Sequence, residues 1–241
     1  LIMAPGGMWY WEDKKWEFLV CENFTFNENE FVYNVRKGLT WNDGSPLTAK
    51  DVETTFWCRW IMRQTEWPFI EKLETVDEHT VKFTLKDPAS VMERYIVRAN
   101  IYCDKTYGEF AKRAKALFES GKTMDDPEGS KLNEELQSWR PKDNEKEVFT
   151  SGPFRYNFNQ ISNAQLTLEK NDKGVFADRV KFDKIIVYKG ETEDITPLVL
   201  NKTVDYATHG FPLATQKSFE SKGFRVLKPA VYSGPALYFS Y

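Results

Sequence analysis

The sequence predicts a mixed α/β fold, α+β in texture, in which mixed sheets are flanked by helices. Three observations carry this. Residues 31–56 pass from strict apolar alternation through a turn into a helical pattern. The stretch "LETVDEHTVKFTLKD" reads as a hairpin, and strand-like segments multiply after residue 149. Both periods, two and 3.6, therefore recur along one chain of 241 residues, long enough to bury one large core or two small ones.

Taken in order, Phe31, Tyr33 and Val35 lie on one face of the first strand, and Val32, Asn34 and Arg36 on the other. Asn42, Asp43 and Gly44 tolerate positive φ and turn the chain. Thr48 with Asp51 three positions on forms a capping-box pattern, and Asp51 suits the positive helix end. Val52, Phe56 and Trp60 then recur at spacing four, a stripe for burial. Leu73 and Thr75, then Val81, Phe83 and Leu85, alternate around Asp77-Glu78-His79, placing His79 at a solvated hairpin tip. Pro88 opens a helical pattern through Val91, Met92, Tyr95 and Ile96. A second helix spans 107–120, with Phe110, Ala114 and Leu117 inward and Gly121 as its cap. A third runs from Pro127 to Trp139.

The charge-dense run from Arg140 to Glu147 and the following Gly-Pro mark a boundary near residue 149. Beyond it, Gln165–Glu169, Phe182–Tyr188, Phe224–Leu227 and Ala236–Ser240 read as strands. Helices through Pro197, Leu198 and Leu200 and through Leu213–Phe219 separate them.

Composition excludes several classes. With 33 basic and 36 acidic residues intermixed there is no basic stripe, so no nucleic-acid partner is expected. No apolar run reaches the roughly 20 residues of a membrane-spanning helix. Cys21, Cys58 and Cys103 are odd in number and lack Cys-x-x-Cys spacing, which points to buried thiols rather than a disulfide scaffold or zinc site. His209 in "ATHGFP" has no Cys or second His nearby, so no metal is expected. No phosphate-cradling glycine pattern, Gly-x-Ser-x-Gly or His-Glu-x-x-His occurs, and Glu191, Glu193 and Asp194 read as a solvated loop rather than an acid–base pair. No cofactor and no catalysis are expected. The 15% aromatic share serves cores and ligand clefts alike and decides neither.

"YNVRKGLTWNDGSPLTAKDVETTF" nevertheless resembles the signature of the family 5 extracellular solute-binding proteins. Arg36, Gly38, Trp41, Asp43, Gly44, Pro46, Leu47, Thr48, Ala49, Asp51 and Val52 match it, and Val35 replaces the usual Leu. "TSGPFRY", with Gly152 and Pro153, "LTLEKND", "LNKTVDYA" and "SGPALYFSY" resemble further family segments. Asn201 stands where the family favours a helix-ending Gly and is expected to enter the left-handed region instead.

The resemblance implies a periplasmic-binding-protein-like fold of the type II cluster with an extra small domain. Residues 1–149 would be that domain, and 150–241 part of the first main lobe, ending at the hinge. The start at Leu1 reads as internal, and the first main-lobe strand and the second lobe are expected to lie outside this chain. The implied function is solute capture for an ABC importer in the periplasm or outside the cell. Its partners would be a peptide-like solute and the permease subunits, with the membrane reached only through a lipid anchor beyond this chain; an oligosaccharide is the alternative solute. Trp41, Asp43, Gly44, Thr48, Asp51, Gly152 and Pro153 are read as framework. "GMWYW" and "TEWPF" offer aromatic platforms, which nominates Trp9, Trp67, Phe69 and Tyr238 for the ligand wall, with Trp67, Phe69 and Tyr238 exposed.

Overall fold

The computed structural model describes residues 1–87, 89–208 and 210–228. The nominated Tyr238, the strand expected at Ala236–Ser240, His209 and the helix-opening Pro88 fall outside them. The chain divides into two compact units, Leu1–Val187 and Tyr188–Tyr241.

The first unit starts with a hairpin, β1 (Gly7–Tyr10) against β2 (Lys15–Phe18), turned at Lys14 with φ +49°. Four antiparallel strands follow: β3 (Cys21–Asn27), β4 (Glu30–Val35), β5 (Ile70–Asp77) and β6 (Thr80–Leu85), in spatial order β3-β4-β6-β5. Phe31, Tyr33 and Val35 are buried, and the alternate residues of β4 are half-buried or exposed. Residues 7–27 were not expected as strands, although Trp16 and Phe18, then Phe24 and Phe26, alternate with polar neighbours and carried the signal.

Helix α1 (Ala49–Ile61) lies between this sheet and helix α3 (Asp104–Glu119). Its Phe56 ring sits 4.7 Å from that of Phe83 on the sheet, and its Trp57 ring 5.5 Å from that of Phe118 on α3. The stripe Val52, Phe56 and Trp60 is buried, but so is nearly every other residue of α1, including Asp51, Glu53, Thr54 and Thr55. A helix covered on all sides must satisfy its polar groups internally. Glu53 does so through Lys50 at 2.9 Å, Lys115 at 3.2 Å and the Thr75 hydroxyl at 3.0 Å. Burial works against the charge of Glu53, yet the two lysines prevail and hold its carboxyl below the usual range.

Helices α2 (Met92–Val97), α3 and α4 (Pro127–Ser138) complete the layer. The start of α2 at Met92 is later than Pro88, residues 90 and 91 forming a turn. α3 begins at Asp104, three residues before the expected 107. Cys103 offers no side-chain cap, and the Asp51 carboxylate accepts the Asp104 N–H at 2.8 Å instead. Its end is local: Gly121 has φ +77°, its N–H bonds Phe118 O, and Lys122 N–H bonds Leu117 O. The three cysteines are free and buried, and burial pushes the Cys21 and Cys103 thiols up to about 12.

A three-stranded sheet closes this unit: β7 (Phe154–Ile161), β8 (Gln165–Lys170) and β9 (Lys184–Tyr188), in that order. Ser151 and Gly152 N–H both bond Ile2 O, and Phe154 N–H bonds Leu1 O, so this segment stays with the N-terminal residues.

The second unit has helices α5 (Thr192–Leu200) and α6 (Leu213–Ser221) around Ile195, Val199 and Phe219. Glu193 and Asp194 belong to the first turn of α5 rather than a loop, and Asp194 accepts the Glu191 N–H at 3.1 Å. Phe224–Leu227 is irregular rather than a strand; the Phe224 N–H is taken by Phe219 O, and the Phe224 ring lies 5.8 Å from that of Phe219. Asn201 is not left-handed, with φ −84°; Lys202 is, at +57°, and its N–H bonds Val199 O. Lys202→Gly should therefore stabilise this unit by about 0.5–1 kcal/mol, since left-handed strain of about 1–2 kcal/mol outweighs the unfolded-chain entropy of glycine, about 0.4–1 kcal/mol. Chemical denaturation checks it, and a loss of stability would contradict the assignment.

Candidate functional site

The signature segment consumes its own polar groups. Arg36 donates through Nε to Leu19 O at 2.9 Å and through Nη2 to Phe18 O at 3.1 Å, pinning the chain after β4 to the end of β2. Gly44, at φ +86°, closes the turn by donating its N–H to Trp41 O. Asp43 accepts from the Ser45 N–H and hydroxyl and pairs with Lys105 at 2.6 Å. These donors hold its carboxyl down to about 2 against the opposing effect of partial burial.

Trp41 is 1% exposed, and Asn42 exchanges two hydrogen bonds with Thr150, 108 residues away. The signature and the "TSGPF" segment thus meet in space. Beside them the Ser151 hydroxyl accepts the Ala4 N–H and Gly152 O accepts Asn171 Nδ2. A Cβ at Gly152 would sit 2.2 Å from Leu1 O, so only glycine fits between these backbones.

Thr48 caps α1: its hydroxyl accepts the Lys50 N–H at 3.3 Å, while Asp51 accepts the Thr48 N–H at 2.8 Å. Burial raises the Asp51 pKa, opposed by the Asp104 and Thr48 N–H groups. Trp41 Nε1 faces this carboxylate and supports its charge without closing a hydrogen bond of normal geometry. Thr48→Ala should cost about 1 kcal/mol and Thr48→Ser almost nothing. Equal behaviour of the two in equilibrium unfolding would remove the capping role.

The nominated aromatics separate. Trp67 is 5% exposed, donates Nε1–H to Phe56 O at 2.8 Å, and packs against Trp57, Trp60 and Phe118. That corrects the expectation of exposure: the Trp67 indole has no free face for a solute. Phe69 is half-buried against the same core. Trp9 stands at the edge of an open aromatic cluster on the β1–β2 hairpin. Trp11, 66% exposed, lies edge-on to it at 6.3 Å, and Trp16 lies at 5.4 Å on the other side. The Arg94 guanidinium, from α2, sits over the rings of Trp9 at 4.9 Å and Trp11 at 4.4 Å. The indole N–H groups of Trp9 and Trp16 have no acceptor. Nothing in the α2 pattern marks Arg94, because only the fold brings it to the hairpin.

Two concavities also lie among the described residues. One, about 50 Å³, is lined mainly by Met3, Tyr107, Trp139, Phe149, Thr150 and Tyr156 and is too small for a solute. The other, about 460 Å³, is an open polar groove at the sheet end, among Glu22, Asn34, Lys37, Asp77 and His79. Among the described residues no group of three His, Cys, Asp or Glu side chains could hold a metal ion, and no helix is long and apolar enough to cross a membrane.

Residues 25–241 match the sequence model of the bacterial extracellular solute-binding proteins, family 5 Middle. Solved structures share the fold. A mannohexaose-bound periplasmic oligopeptide-binding protein from Thermotoga maritima is 20% identical with a TM-score of 0.62, over 91% of this chain and 38% of its own. The oligopeptide-binding protein AppA from Bacillus subtilis, in complex with a nonapeptide, is 16% identical with a TM-score of 0.65, over 92% and 40%. A putative peptide binding protein AppA from Clostridium difficile is 17% identical with a TM-score of 0.65, over 92% and 42%. The chain thus spans about two fifths of the length of these structures. No curated protein sequence is similar enough to count as a match.

Proposed function

We propose that this chain, which belongs to the family 5 bacterial extracellular solute-binding proteins, is part of the solute-capturing component of an ABC importer. The solute is peptide-like, held in a cleft between lobes and passed to the permease subunits. The observation that supports this reading best is the family match over residues 25–241, with a fold shared with two peptide-binding proteins. Residues 1–149 would serve as an accessory domain and 150–241 as part of a main lobe. The protein works outside the cytoplasmic membrane, held there by a lipid anchor, and turns over no substrate. Binding acts by stabilising the closed form that a permease recognises.

An oligosaccharide is the second reading, favoured by the mannohexaose-bound neighbour and by the open indole of Trp11. A thermal-shift screen against peptide and oligosaccharide libraries separates them, because a ligand at 100 times its Kd stabilises by about 2.7 kcal/mol. Stabilisation by peptides supports the first reading and by oligosaccharides the second. Hydrolysis of either, abolished by mutating one carboxylate, would overturn both.

A further inference from the structure

We propose that Arg94, seated on the rings of Trp9 and Trp11, is a recognition point for a carboxylate group carried on a solute with an apolar flank. A guanidinium offers five N–H donors in a planar fork that matches a carboxylate edge-on. The two indoles restrict that fork at 4.9 and 4.4 Å from their ring centres. Among the described residues no acceptor takes the Arg94 side-chain N–H groups and no acid pairs with it.

Two of the three acids of the hairpin are committed elsewhere. Asp13 pairs with Lys15 at 2.9 Å. Glu17 accepts the Tyr10 hydroxyl at 2.8 Å and pairs with Arg179, and those two partners hold its carboxyl below the usual range. Glu12, in the hairpin turn, and Glu93, beside Arg94 on α2, close no ion pair with it. Among the described residues Arg94 is therefore an unpaired cation at an aromatic edge where Trp11 is 66% exposed. An aromatic-flanked fork of this kind favours a planar anion over a neutral sugar, because the guanidinium already covers the indole faces on its side.

The carboxylate could belong to a peptide C-terminus or to an acidic sugar, and the test separates the two. The ¹⁵N-labelled protein is titrated with Gly-Gly-Phe and with its C-terminal amide, then with glucuronate and with glucose. The indole Nε1–H resonances of Trp9 and Trp11, assigned through Trp→Phe variants, are followed. A saturable shift with Gly-Gly-Phe and not its amide assigns the peptide source, and one with glucuronate and not glucose assigns the sugar acid. In either case Arg94→Gln should weaken binding at least tenfold, while the resonances of the other tryptophans report an intact fold. Arg94→Lys should keep part of the affinity, having the charge without the fork. No shift with either carboxylate, equal shifts with the uncharged partners, or an Arg94→Gln protein that binds as well as the parent would overturn the proposal. It does not depend on the transport reading: the carboxylate-dependent shift at Trp9 and Trp11, and its loss in Arg94→Gln, are read whether or not the solute is passed to a permease.

Discussion

Trp41→Ala should destabilise the first unit by about 3–5 kcal/mol, the range for truncating a buried aromatic. The indole is 1% exposed and fills the space between the end of β4 and the start of α1. Its backbone accepts the Gly44 N–H and donates to Ser45 O, so the turn itself depends on the ring staying where it is. The substitution removes apolar burial and also the indole N–H that supports the charge of Asp51, whose pKa burial raises. Equilibrium denaturation measures the effect. A loss under about 1 kcal/mol would mean that the signature can collapse around the gap and that Trp41 is not its anchor.

Glu66→Ala should cost about 3 kcal/mol or more. The Glu66 side chain is fully buried and takes both arms of the Arg59 guanidinium, Nη2 at 3.0 Å and Nε closer still. Removing the acid strands a cation whose side chain is only 18% exposed. A buried pair broken on one side is penalised by about 3–5 kcal/mol, and the partial access of Arg59 to water puts this case at the lower end. Replacing both partners, as Arg59→Met with Glu66→Leu, should recover most of the loss, because no uncompensated charge then remains. A double variant as unstable as Glu66→Ala would show that the residues matter for shape rather than charge.

What was legible in the sequence is what is decided within a few residues. The Thr48–Asp51 cap, the left-handed Gly121 and the hairpin around Glu78-His79 follow from local pattern, since their hydrogen bonds close over two to five positions. The start of α3 was not legible, because its capping acceptor, Asp51, lies 53 residues earlier. The burial of Trp67 depends on Phe56 O, eleven residues away on a helix whose covered faces no periodicity reveals. Likewise the pairing of Leu1 and Ile2 with the 151–154 backbone joins residues at opposite ends of the first unit, which no local pattern announces. On the candidate surface Trp9 could be picked out by its aromatic neighbours in the chain, whereas Arg94 reaches it only through the packing of α2 on the hairpin.

The central claim is that the signature from Arg36 to Val52 builds the framework and that recognition lies elsewhere. Calorimetric titration of the parent and Thr48→Ala proteins, with whichever peptide or oligosaccharide stabilises most in the thermal screen, tests it most directly when paired with their unfolding curves. The account predicts stability lower by about 1 kcal/mol with Kd unchanged within about twofold, or roughly 0.4 kcal/mol. A tenfold loss of affinity at unchanged stability would place the signature in the binding site and contradict it.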